Sequence, residues 1–318
     1  MSESNNVHGV PTRAVVIYHD NCVDGFASAW AFHKLVESDY PNGVEYVPAQ
    51  YGKPVNSDYW DARSDIYILD FSFSRERISE LAIGYASVTV LDHHKTAAEV
   101  LDGWDHGFSN LEIVFDMERS GAGISWDYFS DPHQPRPALI DYVEDRDIWK
   151  WELSDSAEIN SLIGFTKKEF SAYDRLEDLL EHKHDAAVGM GNLLLEQQQR
   201  HVQSIIKSTK RPIEINGKHG LICDCPGQFA SDVGNELAKE SGTFGATCYQ
   251  GSDEKIHFSL RSIGDYDVSA MAKDFGGGGH KNAAGFVMEI ISEIPGGGGV
   301  ILYNTGLGDL EGMTDGNS

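Results

Sequence analysis

Ser87-Val88-Thr89-Val90-Leu91-Asp92-His93-His94 joins a short β-branched run to a carboxylate and two imidazoles. The run has the length and side-chain shape of a buried strand. Its polar end therefore sits where a strand feeds a loop, and α/β sheets gather their ligand-binding loops at the carboxyl ends of parallel strands. Three other clusters stand at matching places. His19-Asp20 and Asp24-Gly25 follow Ala14-Val15-Val16-Ile17-Tyr18, and Asp70 ends Ile66-Tyr67-Ile68-Leu69. Asp145-Arg146-Asp147 ends an apolar-periodic segment around Leu139, Ile140 and Val143. Four carboxylate or imidazole clusters, each at an element's end, read together as a two-metal site.

Outward from this stretch, short apolar runs at 14–18, 43–48, 66–69, 87–91 and 111–115 alternate with helical patterns at 26–36, 75–84 and 121–129. Alternation of this kind predicts an α/β fold, a mostly parallel sheet covered on both faces. On 26–36 the side chains of Ala27, Trp30, Ala31 and Leu35 share one stripe, so Trp30 and Phe32 are assigned to the core. From 167 to 208 the pattern is helical and long, with Leu194, Leu195, Val202, Ile205 and Ile206 on its apolar side. A second α/β unit follows, with strands expected near 213–215, 220–223, 245–249 and 256–261 and a helix over 230–238 opened by Gly227-Gln228-Phe229. Gly296 to Gly299 reads as a linker, 300–303 as one extra strand, and the acidic, Gly-rich end as a frayed tail. No internal repeat is found. The expected division is 1–165 for the first α/β domain, 166–208 for a helical linker, 209–295 for a smaller α/β domain and 296–318 for the tail.

The 318 residues suffice for two domains with proper cores. A net charge of −25 excludes a general basic footprint for duplex DNA. It disfavours long polyanions while leaving short ones open, because metal ions offset part of the repulsion locally. Four cysteines make no disulfide framework in a chain of this size, and Cys223-Asp224-Cys225 has no second pair to form a zinc ribbon. Reduced thiols, a polar Met1 to Gly9 and the lack of a membrane-length apolar run predict a cytoplasmic chain with no membrane contact. A homodimer is left open.

In their order the motifs resemble the DHH phosphoesterase superfamily, in its branch with a C-terminal DHHA1 domain, over roughly residues 13 to 290. The first motif corresponds to Tyr18-His19-Asp20-Asn21-Cys22-Val23-Asp24-Gly25, the second to Leu69-Asp70, the third to Asp92-His93-His94, and the fourth to Val143-Glu144-Asp145-Arg146-Asp147. Ser259-Leu260-Arg261-Ser262, then Gly276-Gly277-Gly278-Gly279-His280 and Ala283-Ala284-Gly285-Phe286, resemble the DHHA1 signature. Each piece is common; the ordered set is specific. One position departs. The family's first motif usually carries an Asp-x-Asp pair, and with its second Asp on Asp24, Cys22 stands at the first. Either Cys22 ligates a softer ion, or His19 and Asp20 supply the missing ligand, or one metal is held weakly, or Cys22 only packs.

The resemblance implies a phosphodiesterase with two divalent ions, Mn²⁺ foremost and Mg²⁺ or Co²⁺ as alternatives. Two such ions roughly 3.5–4 Å apart would generate the attacking hydroxide and clamp the transferring group. It assigns Asp70 as the bridging carboxylate, His19 to the first ion, and Asp24, His93 and Asp145 to the second, with Asp92 and His94 completing the triplet. His94 is placed near the attacked phosphate, and His94, Asp92 and Asp70 are the catalytic residues the resemblance implies. Between Asp145 and Asp147 the expectation falls on Asp145, with Asp147 pairing with Arg146 or capping. Arg261, Gly277, Gly278, Gly279 and His280 are assigned to the non-scissile end of the substrate, since backbone N–H groups of a glycine run form an anion nest and guanidinium suits phosphate. Ser120-Gly121-Ala122-Gly123 reads as a capped helix start.

The substrate expected is a short oligoribonucleotide or linear dinucleotide cleaved to mononucleotides. A phosphatase of 3′-phosphoadenosine-type nucleotides and a cyclic-dinucleotide phosphodiesterase are the alternatives within enzymes. A nucleotide-binding regulator with little turnover is the alternative outside them.

Overall fold

The computed structural model describes residues 13–20, 22–293 and 300–303. Asn21, the polar N-terminus, the Gly296–Gly299 linker and the acidic tail lie outside the described residues. The chain divides into two compact units, Met1–Gln197 and Gln198–Ser318.

The first unit runs β1 (Ala14–His19), α1 (Val23–Leu35), β2 (Val44–Ala49), β3 (Asp65–Leu69), α2 (Arg75–Gly84), β4 (Ser87–Asp92), α3 (Lys95–Leu101), β5 (Leu111–Phe115), α4 (Gly121–Phe129), α5 (Ala138–Asp147), α6 (Ser156–Phe165) and α7 (Phe170–His182). α8 (His184–Thr209) carries the chain across the boundary between the units. The five strands are ordered β2-β1-β3-β4-β5 and every pairing is parallel. All five carboxyl ends therefore lie along one edge of the sheet.

Both faces are covered, as the near-continuous apolar strands require. On β1, Val15 and Ile17 join Ile66, Ile68, Val88 and Val90 against Ile78 and Leu81 of α2. Ala14 and Val16, pointing the other way, join Leu69 and Leu91 against Ala29 and Phe32 of α1 and Ile124 of α4. Behind α1, the side chains of Trp30, Trp126, Leu139, Ile140, Ile159 and Tyr173 form a helical core from α1, α4, α5, α6 and α7. Each large apolar side chain so buried stabilises the unit by about 1.5–3 kcal/mol before ordering costs.

The second unit contains β6 (Arg211–Ile215), β7 (Lys218–Asp224), α9 (Ala230–Ser241), β8 (Phe244–Gln250), β9 (Lys255–Ser262), α10 (Val268–Lys273), β10 (Gly278–His280), β11 (Ala283–Glu293) and β12 (Val300–Tyr303). Its sheet is ordered β10-β11-β9-β8-β7-β6, with β12 on β11; β7 and β8 pair in parallel and the other pairs are antiparallel. Leu260, Phe244, Met271 and Phe286 centre its core.

Two readings of the sequence change. The helical pattern over 167–208 is two helices, broken at Lys183, whose backbone leaves the helical region (φ −145°, ψ 46°). The glycine run read as an anion nest is in part a strand: Gly278, Gly279 and His280 pair with Gly285, Ala284 and Ala283. Among the described residues no helix is long and apolar enough to cross a membrane.

Candidate metal centre

The strand order decides which side chains meet. β1, β3 and β4 are adjacent and parallel, so His19, Asp70 and Asp92-His93-His94 emerge side by side at the same sheet edge. Asp70 leaves β3 with φ +52°, a left-handed conformation that costs energy outside glycine and is tolerated best by Asp and Asn. Its backbone N–H donates to Leu91 O (2.9 Å), which fixes this turn against β4.

Asp24 arrives from the first turn of α1 and is 1% exposed. The N–H groups of Gly121 and Ala122 donate to its two carboxylate oxygens (2.7 and 2.9 Å), so the start of α4 grips it. Ser120 also caps α4 by accepting from Gly123 N–H (3.0 Å), as the sequence suggested. Two glycines make room for this arrangement. A Cβ on Gly121 would lie 2.5 Å from Asp70 Cβ, and one on Gly25 would lie 2.3 Å from His19 O.

His93 is the meeting point. Its Nε2 lies 3.1 Å from Asp70 Oδ1 and 3.5 Å from both Asp24 Oδ2 and Asp147 Oδ2. On the other side of Asp70, His19 Nδ1 is 3.5 Å from Asp70 Oδ2. Those two buried atoms have no hydrogen-bond partner. Donor atoms of His19, Cys22 and Asp70 lie within 4.8 Å of one another, as do those of Asp24, Asp70 and His93, and those of Asp70, Asp92 and His94. Asp70 belongs to all three of these groups.

Asp92 is fully buried and largely committed to holding its neighbours. Its Oδ1 accepts from His93 N–H (2.7 Å) and His94 N–H (3.1 Å) and lies 2.7 Å from His94 Nδ1, while Oδ2 accepts from Ser72 Oγ (2.7 Å). Asp20 stands apart from the three groups and accepts from Gln50 Nε2 (2.7 Å).

Asp145 and Asp147 do not occupy the expected places. Asp145 faces away from the cluster, accepting from Glu152 N–H (2.8 Å), Leu153 N–H (3.4 Å) and Ser156 Oγ (2.5 Å). It thereby ties down the turn after α5, where Trp149 and Trp151 both have positive φ (60° and 54°). Asp147 supplies the carboxylate beside His93.

The electrostatics follow from this crowding. Burial raises the Asp24 carboxyl well above the usual range, and the charges of Asp70 and Asp147 raise it further. Burial also raises Asp147. Burial would raise Asp70 too, but the imidazoles of His19, His93 and His94 around it hold it well below the usual carboxylate range. Burial pushes the Cys22 thiol up, as do the charges of Asp70, Asp147 and Asp24, against a pull from Gly25 N–H. Carboxylates gathered at this density out of water are costly unless cations pair with them. The mix of carboxylate and imidazole, the orphaned Asp70 Oδ2 and His19 Nδ1, and the shared position of Asp70 fit divalent cations.

Tyr51 carried no signal in the sequence. Its half-exposed ring packs on Phe71 (4.4 Å between centroids) and stands edge-on to His19 (5.7 Å) and His94 (5.9 Å). In the second unit, Arg261 lies on β9 and donates to Leu260 O and Ser231 Oγ (both 2.8 Å); His280 ends β10.

Comparison with known proteins places the chain. Residues 227–295 match the model of the DHHA1 domain. The uncharacterised protein R106 of Acanthamoeba polyphaga mimivirus is 33% identical over 298 residues, covering 88% of this chain and 69% of that protein. Oligoribonuclease NrnB of Bacillus subtilis is 26% identical over 291 residues, covering 85% of this chain and 71% of NrnB. Among solved structures, the DHH domain of a protein assigned to a family of ribosomal proteins shares the fold, with a TM-score of 0.53 at 12% identity over 87% of this chain and 82% of that one. With the DHH triplet on β4, its acidic partners on the same sheet edge and a DHHA1 unit following in the sequence, the chain belongs to the DHH phosphoesterase superfamily of metal-dependent phosphoesterases.

Proposed function

We propose that this chain hydrolyses short oligonucleotides or linear dinucleotides to mononucleotides, using two divalent ions, Mn²⁺ foremost, in the centre built on Asp70. The observation that carries the reading is the double use of Asp70. Its Oδ1 lies 3.1 Å from His93 Nε2 and its Oδ2 3.5 Å from His19 Nδ1, and it belongs both to the group with Asp24 and His93 and to the group with His19 and Cys22. Asp24, Asp70, His93 and Asp147 would hold one ion, and His19, Cys22 and Asp70 the other. The similarity to an oligoribonuclease supports the substrate class. Bound divalent ions supply positive charge toward the phosphoryl oxygens and ease formation of the attacking hydroxide at neutral pH.

The chain's own groups do the remaining work. Burial lowers the His94 imidazole, but the Asp92 carboxylate beside it raises it overall above the usual histidine range. With Nδ1 engaged by Asp92, Nε2 is the atom by which His94 holds a phosphoryl oxygen or passes a proton. Tyr51 offers an aromatic face beside His19 and His94 for the base or sugar flanking the scissile phosphate. Arg261, with Gly277, Gly278, Gly279 and His280, is assigned to a non-scissile phosphate.

The test is a panel of dinucleotides, longer RNA and DNA, cyclic dinucleotides and a bisphosphate nucleotide, each incubated with Mn²⁺ and, in parallel, with Mg²⁺, Co²⁺ and Zn²⁺. The expected result is turnover of dinucleotides and short oligomers to mononucleotides. Turnover confined to cyclic dinucleotides or the bisphosphate nucleotide would replace the assignment, and no turnover with any divalent metal would leave a binding protein.

A further inference from the structure

Two corners of the centre differ in chemistry. The corner around His93 offers carboxylate oxygens from Asp24 and Asp70 with one imidazole. The other offers an imidazole, a thiol and a carboxylate from His19, Cys22 and Asp70. Sulfur enters only the second corner, at the chain position where a carboxylate was expected. Cys22 gives α1 no side-chain cap, so the helix start does not account for the thiol. Asp70 Oδ2, buried and without a hydrogen-bond partner, belongs to the side of Asp70 that faces this corner, as does His19 Nδ1.

We infer that Cys22 makes the centre chemically asymmetric: the His19–Cys22–Asp70 corner selects a borderline, sulfur-accepting divalent ion such as Co²⁺ or Zn²⁺. The corner around His93 keeps the ordinary preference for harder ions. This inference rests on the two-metal reading above and deepens it by naming which ion each corner takes. The physical basis is ligand softness. Thiolate binds Zn²⁺ and Co²⁺ well and adds little for Mg²⁺ or Mn²⁺, whereas a carboxylate at the same place suits all four. Binding would release the thiol proton to solvent and leave a metal–sulfur bond, with no change in oxidation state. Replacing Cys22 by Asp should therefore move the preference of one corner and leave the other unchanged.

The experiment is anaerobic Co²⁺ titration of the full chain followed by absorption, because a cobalt–thiolate bond gives an intense near-ultraviolet charge-transfer band. Visible ligand-field bands report total occupancy separately. The expected result is a charge-transfer band that saturates at one equivalent, is lost in Cys22→Ser, and leaves visible bands from the remaining site. Competitive equilibrium dialysis should show the ratio of Zn²⁺ to Mn²⁺ affinity falling by an order of magnitude or more in Cys22→Asp. Far-ultraviolet circular dichroism checks that both variants fold, and Cys22→Ala replaces either that does not. Co²⁺ bound with visible bands but no charge-transfer band overturns the inference and spares the two-metal reading. A band that survives in Cys22→Ser also overturns it, by assigning the sulfur to Cys223, Cys225 or Cys248. Absence of binding by Co²⁺, Zn²⁺ and Mn²⁺ alike overturns the metal reading itself.

Discussion

Asp145 and Asp147 stand two positions apart at the end of α5, and the helix sends their carboxylates in opposite directions. Residues i and i+2 are about 200° apart around a helix, so only one can face the centre. That choice was not legible in the sequence, because both belong to the same motif and the helix phase against the sheet is set by distant packing of Leu139, Ile140 and Val143. By contrast, His19, Asp24, Asp70 and His93 were legible, since each follows a strand or opens a helix whose ends are marked by composition. The two aspartates should separate cleanly in experiment. Asp147→Asn should weaken metal binding and hydrolysis by an order of magnitude or more while the chain stays folded. Asp145→Asn should replace one of the two accepting oxygens by an N–H donor, leave either Glu152 N–H or Ser156 Oγ without its acceptor, and destabilise the fold by about 1–3 kcal/mol. Isothermal titration with Mn²⁺ and denaturant unfolding of both variants make the comparison. Equal loss of metal affinity in the two would return Asp145 to the centre.

At the scale of elements, α4 links the fold to the chemistry. Its first N–H groups hold Asp24, and the missing side chain at Gly121 lets the helix start lie against Asp70. The sequence showed the helix and its Ser120 cap but not this grip, which depends on α1 and α4 packing together across many intervening residues. The strands were readable because they are short apolar runs, and the three central ones, β1, β3 and β4, are rich in β-branched residues and buried on both faces. The break between α7 and α8 was hidden, because its apolar pattern continues past Lys183. Two substitutions in α4 distinguish capping from positioning. Ser120→Ala should cost about 0.5–2 kcal/mol of stability with modest change in metal affinity. Gly121→Ala places a Cβ 2.5 Å from Asp70 Cβ, so the helix start must shift and metal affinity should fall by at least as much as in Asp147→Asn. Wild-type Mn²⁺ affinity in Gly121→Ala would show that Asp24 does not depend on this approach.

For the whole molecule, charge is the governing property. A net charge of −25 and a centre of buried carboxylates both oppose the compact state, and divalent cations relieve the second. Mn²⁺ at a hundredfold excess over its dissociation constant should stabilise the first unit by ~2.7 kcal/mol per occupied site, raising its Tm by roughly 5–10 °C for each, and a chelator should reverse this. Scanning calorimetry with and without Mn²⁺ decides it; an unchanged Tm would argue against a binding site in the folded chain. The same charge should set substrate length. A long RNA carries many phosphates toward an acidic surface, whereas a dinucleotide brings few and places them beside the cations of the centre. Repulsion between exposed charges is screened, with a Debye length of about 30 Å at 0.01 M salt and about 8 Å at 0.15 M. The ratio of kcat/KM for a dinucleotide over that for a long single-stranded RNA should therefore be largest at low salt and shrink as monovalent salt rises, with Mn²⁺ held constant. The proposed stacking on Tyr51 would act on both substrates alike and should change little over this range. A ratio that is flat in salt would mean that shape, not charge, limits substrate length. A preference for the long RNA at low salt would mean that a basic path exists despite the overall balance, and the assignment to short substrates would fall.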